Sequence, residues 1–160
     1  DNGRTILRYI MDNEKLRQAM NIKEVLPPMV RRMIFKGGNL CEKSQYGWTP
    51  LRVYVSNMPT TVVTIGSMEC LLEFLSMPTV DITVTDQHGR RVLHLVMETL
   101  YRSPIGYLLP VVKRILELGG SLYHKSNAGS TSLDILREKR ASIDLIAAVQ
   151  ALEPPTKPNV

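Results

Sequence analysis

One phrase occurs four times in the 160 residues, as DNGRTILRYI, SQYGWTPLRVYV, DQHGRRVLHLVM and SNAGSTSLDIL. Aligned on its glycine, each copy places Gly3, Gly47, Gly89 or Gly129 two residues before Thr5, Thr49, Arg91 or Thr131, and four before Leu7, Leu51, Leu93 or Leu133. A repeat of this kind restricts the fold more than any local propensity does. Each copy is one supersecondary unit that cannot bury its apolar face alone, so the copies must share a core.

A second phrase precedes three of the four: MVRRMIFKGGNL, MECLLEFLSMPTVDI and VKRILELGGSL. Val30, Met33 and Ile34 recur at three- and four-residue spacing, as do Met68, Leu71, Leu72 and Leu75, and Val112, Ile115 and Leu116, which puts an apolar stripe on one face of a helix. Pro27 or Pro28, Ser67 and Pro110 suit first turns, and Gly37 and Gly119 suit the left-handed residue just past a last turn. Each unit therefore reads as turn, helix, loop, helix, turn.

The hairpin phrase resembles the GxTPLHxA of the ankyrin repeat, most fully at Gly47-Trp48-Thr49-Pro50-Leu51 and at Asp86, Gly89, Leu93 and His94; GGNL and GGSL are similar to its helix-closing motif. The resemblance implies an all-α ankyrin-repeat solenoid of stacked helix-turn-helix units joined by β-hairpin-like loops. It covers residues 1–152, in units of approximately 1–38, 39–78, 79–120 and 121–152, and leaves 153–160, with three prolines, as a tail or linker. It also implies that the threonine and proline open the first helix, that the leucine enters the core and that His94 orients the hairpin through hydrogen bonds. The first unit begins without its own first strand, which suggests a chain cut from a longer protein.

The pattern departs from the family in two ways. Gly3 to Gly47 is 44 residues, Gly47 to Gly89 is 42 and Gly89 to Gly129 is 40, against about 33 for a standard unit. The extra residues fall between the helices of a unit, in DNEKLRQAMNIKE, NMPTTVVTIGS and ETLYRSPIGYL, where they either lengthen a helix or bulge as loops. Arg91 and Val92 replace threonine and proline in the third unit, which predicts a weaker cap there.

By resemblance, partners contact the variable positions of the concave side, on the hairpin tips and first helices. At the tips these are Gln45, Tyr46 and Trp48, then Gln87, His88 and Arg90, then Lys125, Asn127 and Ser130; on the helices they are Ser56 and Asn57, then Glu98 and Thr99. Trp48 and Tyr46 stand out because large amphipathic rings dominate binding energetics, although Trp48 packing on the neighbouring hairpin is nearly as good a reading. The implied role is a non-catalytic protein-protein interaction module, within a larger adaptor or regulatory protein, that takes a protein or peptide and needs no cofactor.

Composition narrows the alternatives. No apolar run approaches the roughly 20 residues of a membrane span, and the charged N-terminus does not read as a signal peptide. Cys41 and Cys70 are too few for a disulfide framework or a four-ligand zinc site, so an intracellular location, cytoplasmic or nuclear, is expected. Neither a GxSxG elbow nor a Walker loop nor HExxH occurs. The net charge of +5 favours acidic partners. It motivates one alternative, a stripe of Lys43, Arg90 and Lys125 that binds nucleic acid or another phosphate-rich partner. Another is a domain that regulates an enzyme elsewhere in the same polypeptide. The pairs Arg31-Arg32, Lys113-Arg114 and Lys139-Arg140 read as solvated helix surface.

Overall fold

The computed structural model describes residues 6–13, 15, 22–58 and 65–153. Among these residues the fold is all-α. Eight helices are present and no strand: α1 (Ile6–Asp12), α2 (Ile22–Phe35), α3 (Pro50–Ser56), α4 (Ile65–Leu75), α5 (Val92–Leu100), α6 (Ile105–Glu117), α7 (Ser132–Glu138) and α8 (Ile143–Leu152). Residues 1–5, with Gly3 and Thr5 of the first hairpin phrase, and the tail from residue 154 lie outside the described residues.

Packing alternates along the chain. The odd-numbered helices α1, α3, α5 and α7 each pack on the next of their row, and so do the even-numbered α2, α4, α6 and α8. The rows touch one another where α5 meets α6 and α7 meets α8. The four aligned leucines, Leu7, Leu51, Leu93 and Leu133, are all buried in one core with Val30, Leu71, Val112 and Ile115 from the apolar stripes. Each such side chain contributes about 1.5–3 kcal/mol when withdrawn from water.

Local chemistry sets the helix ends. Thr49 and Thr131 cap α3 and α7, accepting from the N–H groups of Arg52 and Asp134 at 3.2 Å each, and Pro50 opens α3. At α5, Arg91 offers no side-chain acceptor, so the cap is weaker as the sequence predicts; only the reverse bond forms, from the Arg91 N–H to His94 Nδ1 at 3.2 Å. The far ends of α2 and α6 close identically. Gly37 and Gly119 take φ of +94° and +92°, and Gly38 and Gly120 donate back to Met33 and Ile115 at 2.9 Å each.

The second helices start earlier than the prolines suggest. Pro27 and Pro28 lie inside α2, Pro110 lies inside α6 and Ser67 is the third residue of α4. Proline removes a bond to the carbonyl four residues back. Here those carbonyls belong to the exposed residues Lys23, Glu24 and Gly106, on the solvent side of their helices. In the third unit the extra residues are absorbed as helix: α5 has 9 residues where α3 and α7 have 7, α6 has 13, and only residues 101–104 separate α5 from α6. The corresponding segments of the first two units fall largely outside the described residues.

Candidate functional site

Three loops, each leading into an odd-numbered helix, share one backbone design. The N–H groups of Ser44, Asp86 and Ser126 donate to the carbonyls of Trp48, Arg90 and Ser130 at 2.9–3.0 Å. Those of Gly47, Gly89 and Gly129 donate back to Ser44, Asp86 and Ser126 at 2.9–3.0 Å. All three glycines have positive φ, between +69° and +81°, which a Cβ would strain. The turns just before the loops repeat too. Asn39, Asp81 and Ser121 each accept, through a side-chain oxygen, the N–H two residues on, that of Cys41, Thr83 or Tyr123.

Adjacent loops touch through backbone. The Asn127 N–H donates to the His88 carbonyl at 2.9 Å, Asn127 Nδ2 donates to the Gln87 carbonyl at 3.1 Å, and His124 Nε2 lies 3.3 Å from the Gly89 carbonyl. Between the first two of these loops the join is electrostatic: the Arg52 guanidinium, in the helix that follows the first, meets the Asp86 carboxylate of the second at 2.5 Å with both side chains almost fully buried. Asp86 also accepts from the N–H groups of His88 and Arg90 at 2.8 Å each and from Arg90 Nε at 3.1 Å, while Arg90 reaches Glu98 at 3.0 Å. Burial pushes the Asp86 carboxyl up, but the Arg90 N–H, the Arg52 charge and the remaining donors outweigh it and hold it below the usual carboxylate range.

His94 is fully buried. Its Nδ1 accepts from Arg91, so Nε2 carries the proton and donates to the Ser130 carbonyl, 3.3 Å away at the base of the next loop. Desolvation lowers its pKa below the ordinary histidine value, with the charges of His124 and Arg90 adding to the effect against the backbone of Ser130 and His124. The residue ties one unit to the next loop as a neutral ring. Its edge meets the ring of His124 at a centroid distance of 5.7 Å.

The sequence-derived site residues separate into groups. Gln45, Tyr46, Gln87, His88, Lys125 and Asn127 are exposed on the loops, and His88, Asn127 and half-buried Arg90 line one open groove between the last two. Trp48 is half-buried beneath the Arg52 guanidinium of its own unit, which lies 4.6 Å from the centroid of its ring. Ser56, Ser130 and Glu98 are half-buried, and Asn57 donates to Asp12 at 2.8 Å.

Thr99 is a correction. Residues adjacent on a helix point about 100° apart, and α5 is buried all round except at Glu98. Thr99 therefore faces the core, 9% exposed, and cannot meet a partner.

The stripe of Lys43, Arg90 and Lys125 is interrupted, because Arg90 is spent on Asp86 and Glu98. Of the paired basic residues, Arg31, Arg32, Lys113, Lys139 and Arg140 are exposed, and Arg31 pairs with Glu73. Sequence reasoning missed the role of Arg52, for which the aligned His94 was the available signal. Among the described residues no group of three or more His, Cys, Asp or Glu side chains is placed to share a metal ion, and no helix is long and apolar enough to cross a membrane. Compared with models of known protein families and with curated proteins, the chain matches none.

Proposed function

We propose that the chain is an ankyrin-repeat domain that binds a partner protein or peptide along its row of loops and performs no catalysis of its own. The observation that carries this reading is the equivalence of the three glycine loops, which keep the same two backbone bonds and the same left-handed glycine at successive spacings of 42 and 40 residues. Loops held to one another by backbone bonds and buried charge form a surface whose ordering cost is met during folding, so little is lost on association.

Tyr46 is the anchor of that surface, 55% exposed on its loop, with His88 at the aligned position of the next loop. Gln45, Gln87 and Asn127 occupy a second aligned row and supply polar contacts. Lys43 and Lys125 are exposed and, with the net charge of +5, favour an acidic peptide. The interruption of the cationic stripe at Arg90 weighs against a phosphate backbone lying along the loops.

Peptides selected from a display library on the wild-type chain supply the test. The double variant Tyr46→Ala, His88→Ala is expected to bind them at least about tenfold more weakly, a loss of about 1.4 kcal/mol, with an unchanged melting temperature. Binders that ignore this variant yet lose affinity to Arg31→Ala would place the partner elsewhere.

A further inference from the structure

At the far end of α5 from its glycine loop, the connection between α5 and α6 and the connection between α7 and α8 border an open groove of about 420 Å³. Arg102 and Ser103 line it from one side, and Lys139, Arg140 and Ser142 from the other. Arg102, Lys139 and Arg140 are all exposed, and none is in an ion pair among the described residues. Arg102 instead lies over the Tyr101 ring, 5.3 Å from its centroid. Three cations without ion-pair partners line one groove, and the carboxylates next to it in sequence, Glu138 and Asp144, do not line it.

Two further features point to an anion with several acceptor oxygens. Ser142 is the N-cap of α8, a ten-residue helix whose N-terminus therefore opens on this groove with the positive end of its dipole. Its Oγ accepts from the Leu145 N–H at 3.2 Å, which leaves the hydroxyl hydrogen free to donate outward. Ser103 is 8% exposed and its hydroxyl has no partner in the protein. A buried hydroxyl without a partner needs an explanation such as a bound group, and of the three among the described residues, on Thr79, Ser103 and Ser132, that of Ser103 alone belongs to a residue lining this groove. A guanidinium fork, two hydroxyl donors and a helix N-terminus are the donors a tetrahedral dianion accepts from.

We propose that this groove binds one phosphate-type oxyanion, free or as a phosphate monoester, held by Arg102, Lys139 and Arg140 and by the hydroxyls of Ser103 and Ser142 at the start of α8. The site is separate from the loop row, and the two fail independently: the Tyr46→Ala, His88→Ala variant keeps the anion site intact.

The test is an NMR titration of the ¹⁵N-labelled chain with inorganic phosphate at constant ionic strength, with chloride as the control anion and O-phosphoserine in a parallel arm. A saturable shift confined to the amides of residues 101–103 and 139–145 is expected. The midpoint should weaken at least tenfold in Arg102→Gln combined with Arg140→Gly, whose remaining spectrum reports the intact fold. Ser103→Ala should weaken it less while leaving all three cations in place. Tighter binding of inorganic phosphate assigns the site to the free ion, and tighter binding of O-phosphoserine assigns it to an ester carried by a partner. Shifts that never saturate, that chloride reproduces, that are as large around Arg31 and Arg32, or that persist unchanged in the double variant overturn the proposal.

Discussion

Arg52 of α3 and Asp86 of the following glycine loop form an ion pair with side chains only 6% and 2% exposed, the most buried pair of opposite charges among the described residues. Removing one partner of such a pair strands the other in a poorly solvated site, at a cost of about 3–5 kcal/mol. Asp86→Ala is therefore expected to lose about that much stability in urea denaturation, since it also leaves the N–H groups of His88 and Arg90 without an acceptor. Arg52→Met should cost less, because Asp86 keeps Arg90 and those two N–H groups. The folded-state pKa of Asp86 is depressed, so its contribution is present above the ordinary carboxylate value and is lost as pH falls below it. Equal losses in the two variants would contradict this account.

His94 gives the molecule a second pH dependence, nearer neutrality. Its neutral ring accepts at Nδ1 and donates at Nε2, and protonation would turn the acceptor facing the Arg91 N–H into a second donor. The folded pKa lies below the ordinary 6.5. The unfolded chain thus binds the proton first, and stability present above about pH 6.5 falls as pH drops through that value toward the folded pKa. Melting temperatures measured between pH 7.5 and 5 should decline in the wild type and flatten in His94→Gln, which keeps one acceptor and one donor. A wild-type slope that survives the substitution would assign the proton elsewhere.

What could be read from the sequence follows physical range. The buried leucines, the threonine caps and the left-handed glycines are legible because each depends on a few neighbouring residues and a turn with a fixed dihedral requirement. The Arg52–Asp86 pair spans 34 residues and depends on how one unit is offset against the next, which no local pattern encodes. Trp48 left two readings open in the sequence, and the contact that the structure adds, with Arg52 four residues on in the same unit, is neither of them. Thr99 was carried over by position beside Glu98, where helical periodicity separates the two. The prolines of α2 and α6 mislead because their cost depends on whether the abandoned carbonyl meets water, a property of the packed helix.

The glycines of the three loops are expected to differ in tolerance although their φ values are alike. An alanine Cβ at position 89 would sit 2.9 Å from the Asn127 backbone nitrogen and against its side chain, at position 47 it would meet the Gln87 nitrogen at 3.2 Å, and at position 129 it would meet nothing within 4 Å. Left-handed strain alone costs about 1–2 kcal/mol. Gly129→Ala should lose about that amount, Gly47→Ala somewhat more and Gly89→Ala the most, because it also parts two loops joined through backbone. Calorimetric melting of the three variants checks the order, and a Gly129→Ala as damaging as Gly89→Ala would mean that the loops do not rest on one another in this way.

Arg140 holds the position at the end of α7 that glycine holds at the ends of α2 and α6. Its φ is +56°, its N–H donates to the Arg137 carbonyl at 3.0 Å, and the Ala141 N–H donates to Leu136 at 3.0 Å, the same two bonds that Gly37 and Gly38 make to Ile34 and Met33. A side chain here bears the left-handed strain that the glycines escape, and the exposed guanidinium makes no ion pair among the described residues to offset it. Arg140→Gly should therefore stabilise the fold, by less than the roughly 1–2 kcal/mol of strain because glycine gains entropy in the unfolded chain. A higher melting temperature in phosphate-free buffer, with weaker stabilisation by added phosphate than in the wild type, is the combined signature. A lower melting temperature would mean that the arginine makes a stabilising contact at this end of α7 that outweighs its backbone strain.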